Sequence, residues 1–568
     1  MDRQLLTLWK AVPSGNVKKE ELAEALRLST KQTSRYIQKW TKEEWLTFSS
    51  GRGRGKVSTL QWLKNVEEMY EEQLLNSMDK WSVEEMYEEQ LLNSMDKWSI
   101  EMISKYLLWD WSKDSKLRLM EKFRSKFGYT NNLNVQDKLL IPKVYPFLSM
   151  HPLVAADANS VSLIANIYNR LVAVNHNGEV LPELVHSWEE TSTRLRLYLK
   201  KDVIFHDGSI LVAEDVVHCL QKLQNHSHFQ DLWKPVTSIV TKAPLVVDLE
   251  FPNGCSYCLQ MLSMLNASIY KEMKGTIIGT GPFYIEENSE TRTSLVAFKE
   301  YFQERPLLDS VEFVIVPQDF GRLYRAANLE GEKSTFSVES NSGFGVIMMN
   351  AFRQSAINRK EVRDYLHYII AKNRHTIVDV NPLMNPNDQG CLTGVSEQYD
   401  IEKVNRPYFS EPLILKIMNY TEKATMWLKE ILEKEGVPVQ LKWVPFEDTL
   451  YNEKVKQEVD LFVHGEVFEM NQHFSFYFFL KNGYSPLPDI IKTDEGLLKD
   501  MAEYERTPFE KWPALNKKVE KSLLEASLMI PLYHKKRKIP FSEELKNVTI
   551  KHFGYVDFSK LWVKPNIE

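Results

Sequence analysis

Several short stretches of this 568-residue sequence carry residue types that could do chemistry. Phe205-His206-Asp207-Gly208 places an imidazole beside a carboxylate, the pairing used in general acid–base catalysis. Asp-Gly is also a strong turn signal, and here it would join a strand to the helix that opens at Ala213; the turn is the reading adopted. Cys255-Ser256-Tyr257-Cys258 is a lone C-x-x-C without the second pair that a zinc site needs, so it reads as two ordinary thiols. His226-Ser227-His228 has no Cys, His or Glu partner at metal-ligand spacing and reads as a polar loop. Gly279-Thr280-Gly281-Pro282 lacks the form of a phosphate-binding loop and suits the entry to a strand. Lys535-Lys536-Arg537-Lys538 reads as a solvated basic edge. No Ser/His/Asp or Cys/His triad stands out. The expectation is a protein that is not an enzyme, with no cofactor and no metal.

The residues nearest the N-terminus suit a different chemistry, the recognition of a nucleic acid. Thr30, Lys31, Gln32, Ser34, Arg35, Gln38 and Lys39 combine side chains that read base edges with side chains that hold phosphates. Shortly after them, Gly51-Arg52-Gly53-Arg54-Gly55-Lys56 offers three cations on a bendable tip, suited to a phosphate backbone or a minor groove.

The elements that must position these residues can be read from spacing. Ser29-Thr30-Lys31-Gln32 has the form of a capping box, so a helix opens there and runs to about Lys39 or Trp40. Thr33, Tyr36, Ile37 and Trp40 fall on its inner face. A preceding helix over about Lys18–Leu28 buries Leu22, Ala25 and Leu26. Trp45–Ser49 and Val57–Trp62 read as strands flanking the Gly/Arg tip, so Arg52, Arg54 and Lys56 sit on a wing. Together the stretch reads as a winged helix-turn-helix. In its turn, Arg27 stands where such motifs often have glycine; Arg is disfavoured at positive φ, so a longer or differently shaped turn is expected.

Charge agrees with this placement. Residues 1–65 hold 13 Lys/Arg against 6 Asp/Glu, a balance of +7 within an overall charge of −6, which leaves −13 on the remainder. A basic end on an acidic body fits an N-terminal contact with double-stranded DNA. The composition, 43% hydrophobic and 26% charged, is that of an ordinary globular chain with several domains. Four cysteines are too few for a disulfide framework. The amphipathic start, with Leu5, Trp9 and Val12 on one side, has no signal-peptide core or lipid-attachment cysteine, and no stretch is long enough to span a bilayer. A cytoplasmic protein with no membrane partner is expected.

Residues 66–82 and 83–99 are the same 17-mer twice, VEEMYEEQLLNSMDKWS. One unbroken helix would rotate the second copy by about 260° and split its apolar stripe. Asn65 and Ser82 each stand three residues before a Glu, so each copy is expected to start its own capped helix, within a helical connector or dimerisation element. The expected domains are therefore 1–63, winged helix-turn-helix; 64–135, helical connector; and 136–568, a body in which short strands alternate with helices, an α/β texture.

In that body, in order, stand Leu139–Tyr145, Ala165–Leu171, Leu181–Glu189 with Ser187-Trp188, Leu195–Lys200, Val203–Gly208, Ala213–Val217, Gly279–Phe283, Leu308–Phe313 and Ile530–Tyr533. This ordered series resembles the oligopeptide/nickel class of extracellular solute-binding proteins over about residues 137–545. With the N-terminal reader and its Gly-Arg-Gly-Arg-Gly-Lys tip, the whole chain resembles the SgrR family of transcriptional regulators. The resemblance implies a multidomain chain: a winged helix-turn-helix, then a two-lobed, periplasmic-binding-protein-like (type II) α/β domain. It implies that the His206-Asp207 motif is structural, that the repeat adds a copy of a short connector, and that the second lobe spans about 341–528.

Val346–Asn350 resembles the strand of this family that re-enters the second lobe. Leu413–Ile417, Thr421–Glu435 and Val437–Trp443 read as a β-α-β unit, and Asp460–Phe468 as a strand whose end faces the interlobe cleft. Asn350, His464 and Glu466 are the residues expected to bind ligand. The expected function is a DNA-binding transcriptional regulator that senses a small solute (sugar, sugar-phosphate or peptide) and controls transport or metabolic genes. The alternatives are the solute receptor of an ABC transporter, which requires export, and an enzyme or chaperone with a peptide cleft.

Overall fold

A computed structural model describes residues 3–26, 28–51, 57–67, 69, 82–95, 98, 100–124, 128–132, 136–175, 178–273, 275–316, 335–394, 399, 401–468, 471–542, 545–551 and 555–564. Arg27, Arg52, Arg54 and Lys56, and most of the first 17-residue copy, lie outside the described residues. The chain forms two compact units: Met1–Trp98 with Asp110–Lys122, and Ser99–Trp109 with Phe123–Glu568.

The first unit opens with α1 (Arg3–Ala11), β1 (Gly15–Val17), α2 (Lys19–Leu26), α3 (Thr30–Lys42), β2 (Leu46–Ser49) and β3 (Ser58–Trp62). The strands form an antiparallel sheet in the order β1-β3-β2, with β3 central. Leu5, Leu8, Leu22, Leu26, Ile37, Trp40, Leu46 and Leu60 make one apolar core beneath the helices. The Trp62 indole N–H donates to the Val12 carbonyl at 2.9 Å, tying the last strand back to the first helix. This is a winged helix. The β1 strand is absent from the sequence reading because its three residues, Gly-Asn-Val, carry no alternating pattern. The turn between α2 and α3 is closed by the Leu28 amide, which donates to the Ala23 carbonyl at 3.0 Å.

After the wing, Asn65 caps a helical start: its side-chain oxygen accepts the Glu67 amide at 3.2 Å, and Val66 is fully buried in the head core. The second copy forms α4 (Ser82–Ser94). Its Glu88 is buried and takes a two-pronged bond from Arg118 on the helix Lys113–Arg124, at 2.5 and 2.8 Å. Such fork-to-fork geometry fixes orientation as well as contributing energy.

The second unit is two-lobed. The first lobe contains a five-stranded sheet in the order Phe283–Asn288, Arg292–Ala297, Ser310–Ile315, Gln136–Lys143, Gly128–Asn132. A four-stranded antiparallel sheet in the same lobe runs Ser238–Ala243, Val246–Glu250, Arg194–Leu199, Val185–Glu190. The second lobe is built on a six-stranded mixed sheet: Met384–Pro386, Met529–Ser542, Thr335–Met349, Leu461–Val467, Leu413–Ile417, Val439–Trp443. Leu413–Ile417 lies parallel to both Val439–Trp443 and Leu461–Val467, with helix Glu422–Lys434 as the crossover. Leu413 and Leu415 pack on that helix through Leu428 and Leu432. Thr335–Met349 and Met529–Ser542 pair antiparallel from Met348↔Met529 to Thr335↔Ser542, a long ribbon whose second strand also touches Gly128–Asn132 of the first lobe. Among the described residues, no helix is long and apolar enough to cross a membrane.

Candidate nucleic-acid interface and ligand-binding lobes

The capping box builds the candidate interface from its first residue. The Ser29 hydroxyl accepts the Gln32 amide at 3.4 Å, and the Gln32 side-chain carbonyl accepts the Ser29 amide at 3.2 Å. With its N-terminus so fixed, α3 buries Thr33, Ile37 and Trp40 and exposes Thr30, Lys31, Gln32, Arg35, Gln38 and Lys39. Ser34 is half-buried and its hydroxyl donates to the Thr30 carbonyl at 2.8 Å. The structure thus brings the seven helix residues expected to meet DNA onto one element; the wing residues Arg52, Arg54 and Lys56 are outside the described residues. Two of the seven carry an added local duty: Gln32 closes the cap, and Ser34 bonds its own helix.

Beside this face lies an open hollow of about 420 Å³, lined by Lys19, Thr30, Ser34, Gln38, Lys42 and Phe48. Lys19 and Lys42 were not singled out from the sequence, because their neighbourhood depends on how β2 packs against α3. The arrangement can do what the residue types allow: cations for phosphates, and Arg and Gln amides for base edges.

In the second unit, two of the motifs that suggested chemistry fold onto each other. His206 Nε2 donates to the Gly281 carbonyl at 3.1 Å, and its Nδ1 accepts the Gly279 amide at 3.3 Å. Both nitrogens are committed as a neutral ring, and burial brings the imidazole down to about 4. Asp207 accepts the Ser209 amide at 2.9 Å, making the turn. A Cβ on Gly279 would meet the Ile167 carbonyl oxygen at 2.2 Å, and one on Gly281 the Ile167 carbonyl carbon at 2.4 Å. The glycines are there for close backbone approach. All four cysteines are free and buried. Among the described residues, no cluster of His, Cys, Asp or Glu is placed to hold a metal ion.

The three residues expected to bind ligand separate. Asn350 is fully buried, and its amide donates to the carbonyls of Lys456 at 2.5 Å and Val459 at 2.8 Å. The ligand contact expected of Asn350 is corrected on that ground: the side chain is a strut between the end of one strand and the segment leading into the next. His464 and Glu466 do share one strand face, bonded Nε2 to Oε2 at 3.0 Å, beside the ring of Phe479.

Where the lobes meet, other residues stand that spacing did not reveal. The Tyr451 hydroxyl of the second lobe donates to the Val154 carbonyl of the first at 3.0 Å. Tyr145 and Tyr420 face each other across the junction with ring centroids 5.8 Å apart. Asp157 caps the helix Ala158–Ile167 with one carboxylate oxygen, while the other is buried with no partner among the described residues. Lys143 lies over the Phe147 ring at 3.8 Å, and burial pushes its ammonium down to about 8. His228 stacks on Tyr484 at 4.3 Å and takes the Asn482 amide on its carbonyl.

Comparison with known proteins places both units. Residues 2–114 match the family described as sugar transport-related sRNA regulator N-term (SgrR_N), and residues 179–336 match bacterial extracellular solute-binding proteins, family 5 middle. The HTH-type transcriptional regulator SgrR of Photorhabdus laumondii is 23% identical over 589 aligned residues, spanning 100% of this chain and 99% of its own. The chain belongs to the SgrR family. The Bacillus subtilis protein YhjP is also similar to this SgrR-family chain, 22% identical over 96% of it and 95% of YhjP. Among solved structures, DppA from Helicobacter pylori in complex with the peptide STSA matches with a TM-score of 0.64 at 17% identity, covering 75% of this chain and 98% of DppA. NikA from Brucella suis in complex with Fe(III)-EDTA matches with a TM-score of 0.63 at 17% identity, covering 75% of this chain and 100% of NikA. The two-lobed unit of the SgrR-family chain therefore has the fold of a type II periplasmic binding protein.

Proposed function

We propose that this SgrR-family chain is a ligand-responsive, DNA-binding transcriptional regulator. The observation that carries the reading is the exposed Lys31–Lys39 face of a capped helix in a winged head, on the same chain as a two-lobed solute-binding fold. The head binds double-stranded DNA through Lys31, Arg35, Gln38 and Lys39, with Thr30, Gln32 and Ser34 at the helix start and Arg52, Arg54 and Lys56 on the wing. The receptor takes a small solute (a sugar, a sugar-phosphate or a peptide) between its lobes, near His464 and Glu466 and the Tyr145, Tyr420 and Tyr451 rings. A ligand that binds the closed lobes better than the open ones shifts the population of the closed state. That shift alters DNA affinity only by the difference in free energy between the two states. The protein works in the cytoplasm, on transport or metabolic genes, and as a regulator rather than an enzyme. The receptor of an ABC transporter shares the fold of the second unit but gives no use to α3.

The test is to sequence the genomic DNA retained by the purified full chain. A few enriched sites that compete with excess random DNA are expected; uniform retention or none overturns the reading.

A further inference from the structure

The duplicated 17-mer carries two distinct anchors, and the structure shows each of them in a different copy. Position 1 of the repeat is Val66 in the first copy. It is fully buried in the core of the winged head, and the next residue, Glu67, pairs with Lys10 of α1 at 3.1 Å. Position 6 is Glu88 in the second copy, buried against Arg118, which also reaches Ser115 at 3.4 Å. Positions 9 and 13 of that copy, Leu91 and Met95, are buried as well. On one α-helix, positions 1, 6, 9 and 13 fall within about 140° of the circumference. A single copy can therefore present Val to the head and Glu to Arg118 from adjoining faces, with Leu and Met buried beside the Glu. With two copies in tandem, the second set is displaced by about 26 Å if helical, and turned by about 260°.

We infer that the duplication has divided between two copies a pair of anchors that one copy holds at once, so that one 17-residue copy is a removable spacer between the head and the Arg118 helix. Each copy keeps the residues for both anchors. On the regulator reading above, the spacer slackens the path by which the receptor acts on the head; the anchors themselves do not depend on that reading.

Deleting residues 66–82 and deleting residues 83–99 give the same chain, because the copies are identical. That single-copy chain and the natural one are compared by calorimetry, with the N-terminal transition assigned through its shift in Ile37→Val. In the natural chain, Glu88→Ala lowers this transition by roughly 5 °C, as loss of a two-pronged, charge-assisted bond to a buried carboxylate should in a small domain, and Glu71→Ala leaves it in place. In the single-copy chain the transition remains within about 2 °C of the natural value, and Glu71→Ala now lowers it by as much as Glu88→Ala did before. Transfer of the Arg118 partnership from Glu88 to Glu71 is the expected signature. Loss of the N-terminal transition in the single-copy chain, or a silent Glu71→Ala there, overturns the inference. So does a Glu71→Ala as damaging as Glu88→Ala in the natural chain. None of these readings requires DNA, so failure of the regulator proposal leaves the test intact.

Discussion

His206 shows how a residue that suggests acid–base chemistry can be excluded from it by its hydrogen bonds. One ring nitrogen donates to Gly281 and the other accepts from Gly279, so a second ring proton would have no acceptor. His228, half-buried, and His367, fully buried, are likewise held near 4, by loss of solvation first and then by charged neighbours. All three are neutral in the folded chain at a pH where the unfolded chain, with its ordinary pKa of about 6.5, begins to take up protons. Their contribution is therefore fully present above about pH 6.5 and declines as pH falls toward 4, by up to roughly 3 kcal/mol for each ring. Urea midpoints measured from pH 7 down to pH 4.5 should fall steadily, and the fall should be shallower in His228→Phe. A slope unaffected by that substitution would remove His228 from the account. On the DNA side, Arg35 is exposed on α3 with Lys31 and Gln38 on the same element. Arg35→Ala is expected to weaken binding to a preferred site by roughly ten- to a hundredfold while leaving non-specific binding nearly unchanged, as a base-reading side chain should. Competition gel shifts with specific and random duplexes would show it, and an equal loss on both would assign Arg35 to phosphate instead.

At the scale of elements, the helix-turn-helix was legible because its signals are local: a cap, an i+3 partner and an apolar stripe. The Ser29–Gln32 box, the inward Thr33, Ile37 and Trp40, and the two wing strands all follow from spacing of a few residues. Helix ends were less legible; α3 runs to Lys42, past the expected Trp40, because its C-terminal turn is closed by the Glu43 amide on Lys39 and not by a glycine. Asn350 was misread because its partners, the Lys456 and Val459 carbonyls, are more than a hundred residues away. Tyr145, Val154, Tyr420 and Tyr451 escaped for the same reason: their significance lies in pairs that cross between lobes. The Gly279–Gly281 strand entry is the clearest element to test. Gly281→Ala places a methyl group about 2.4 Å from backbone atoms of Ile167, which cannot yield as a side chain could. A loss of at least about 2 kcal/mol in unfolding free energy is expected, seen in denaturant midpoints. A loss below about 0.5 kcal/mol would mean that the Ile167 segment gives way freely.

For the whole molecule, charge and ligand linkage make the accessible predictions. Cations on the recognition helix and wing should make DNA binding fall steeply with salt; Arg52→Ala combined with Arg54→Ala should weaken binding to all sequences and lower the slope of log affinity against log salt by nearly two. An unchanged slope would take the wing out of phosphate contact. A solute that binds the closed lobes should raise the melting temperature of the second unit in proportion to the logarithm of its concentration, and a panel of sugars, sugar phosphates and peptides can be ranked this way. A panel member that raises the melting temperature without altering DNA affinity would separate sensing from regulation. The long ribbon of Thr335–Met349 and Met529–Ser542 has a consequence for how such a protein changes over evolutionary time. The chain passes into the second lobe along one strand and returns along its immediate neighbour, so residues 350–528 are an insert with both ends side by side. A segment of that kind can be exchanged by two crossovers at one place in the fold, giving a new ligand appetite to an old operator without re-threading anything else.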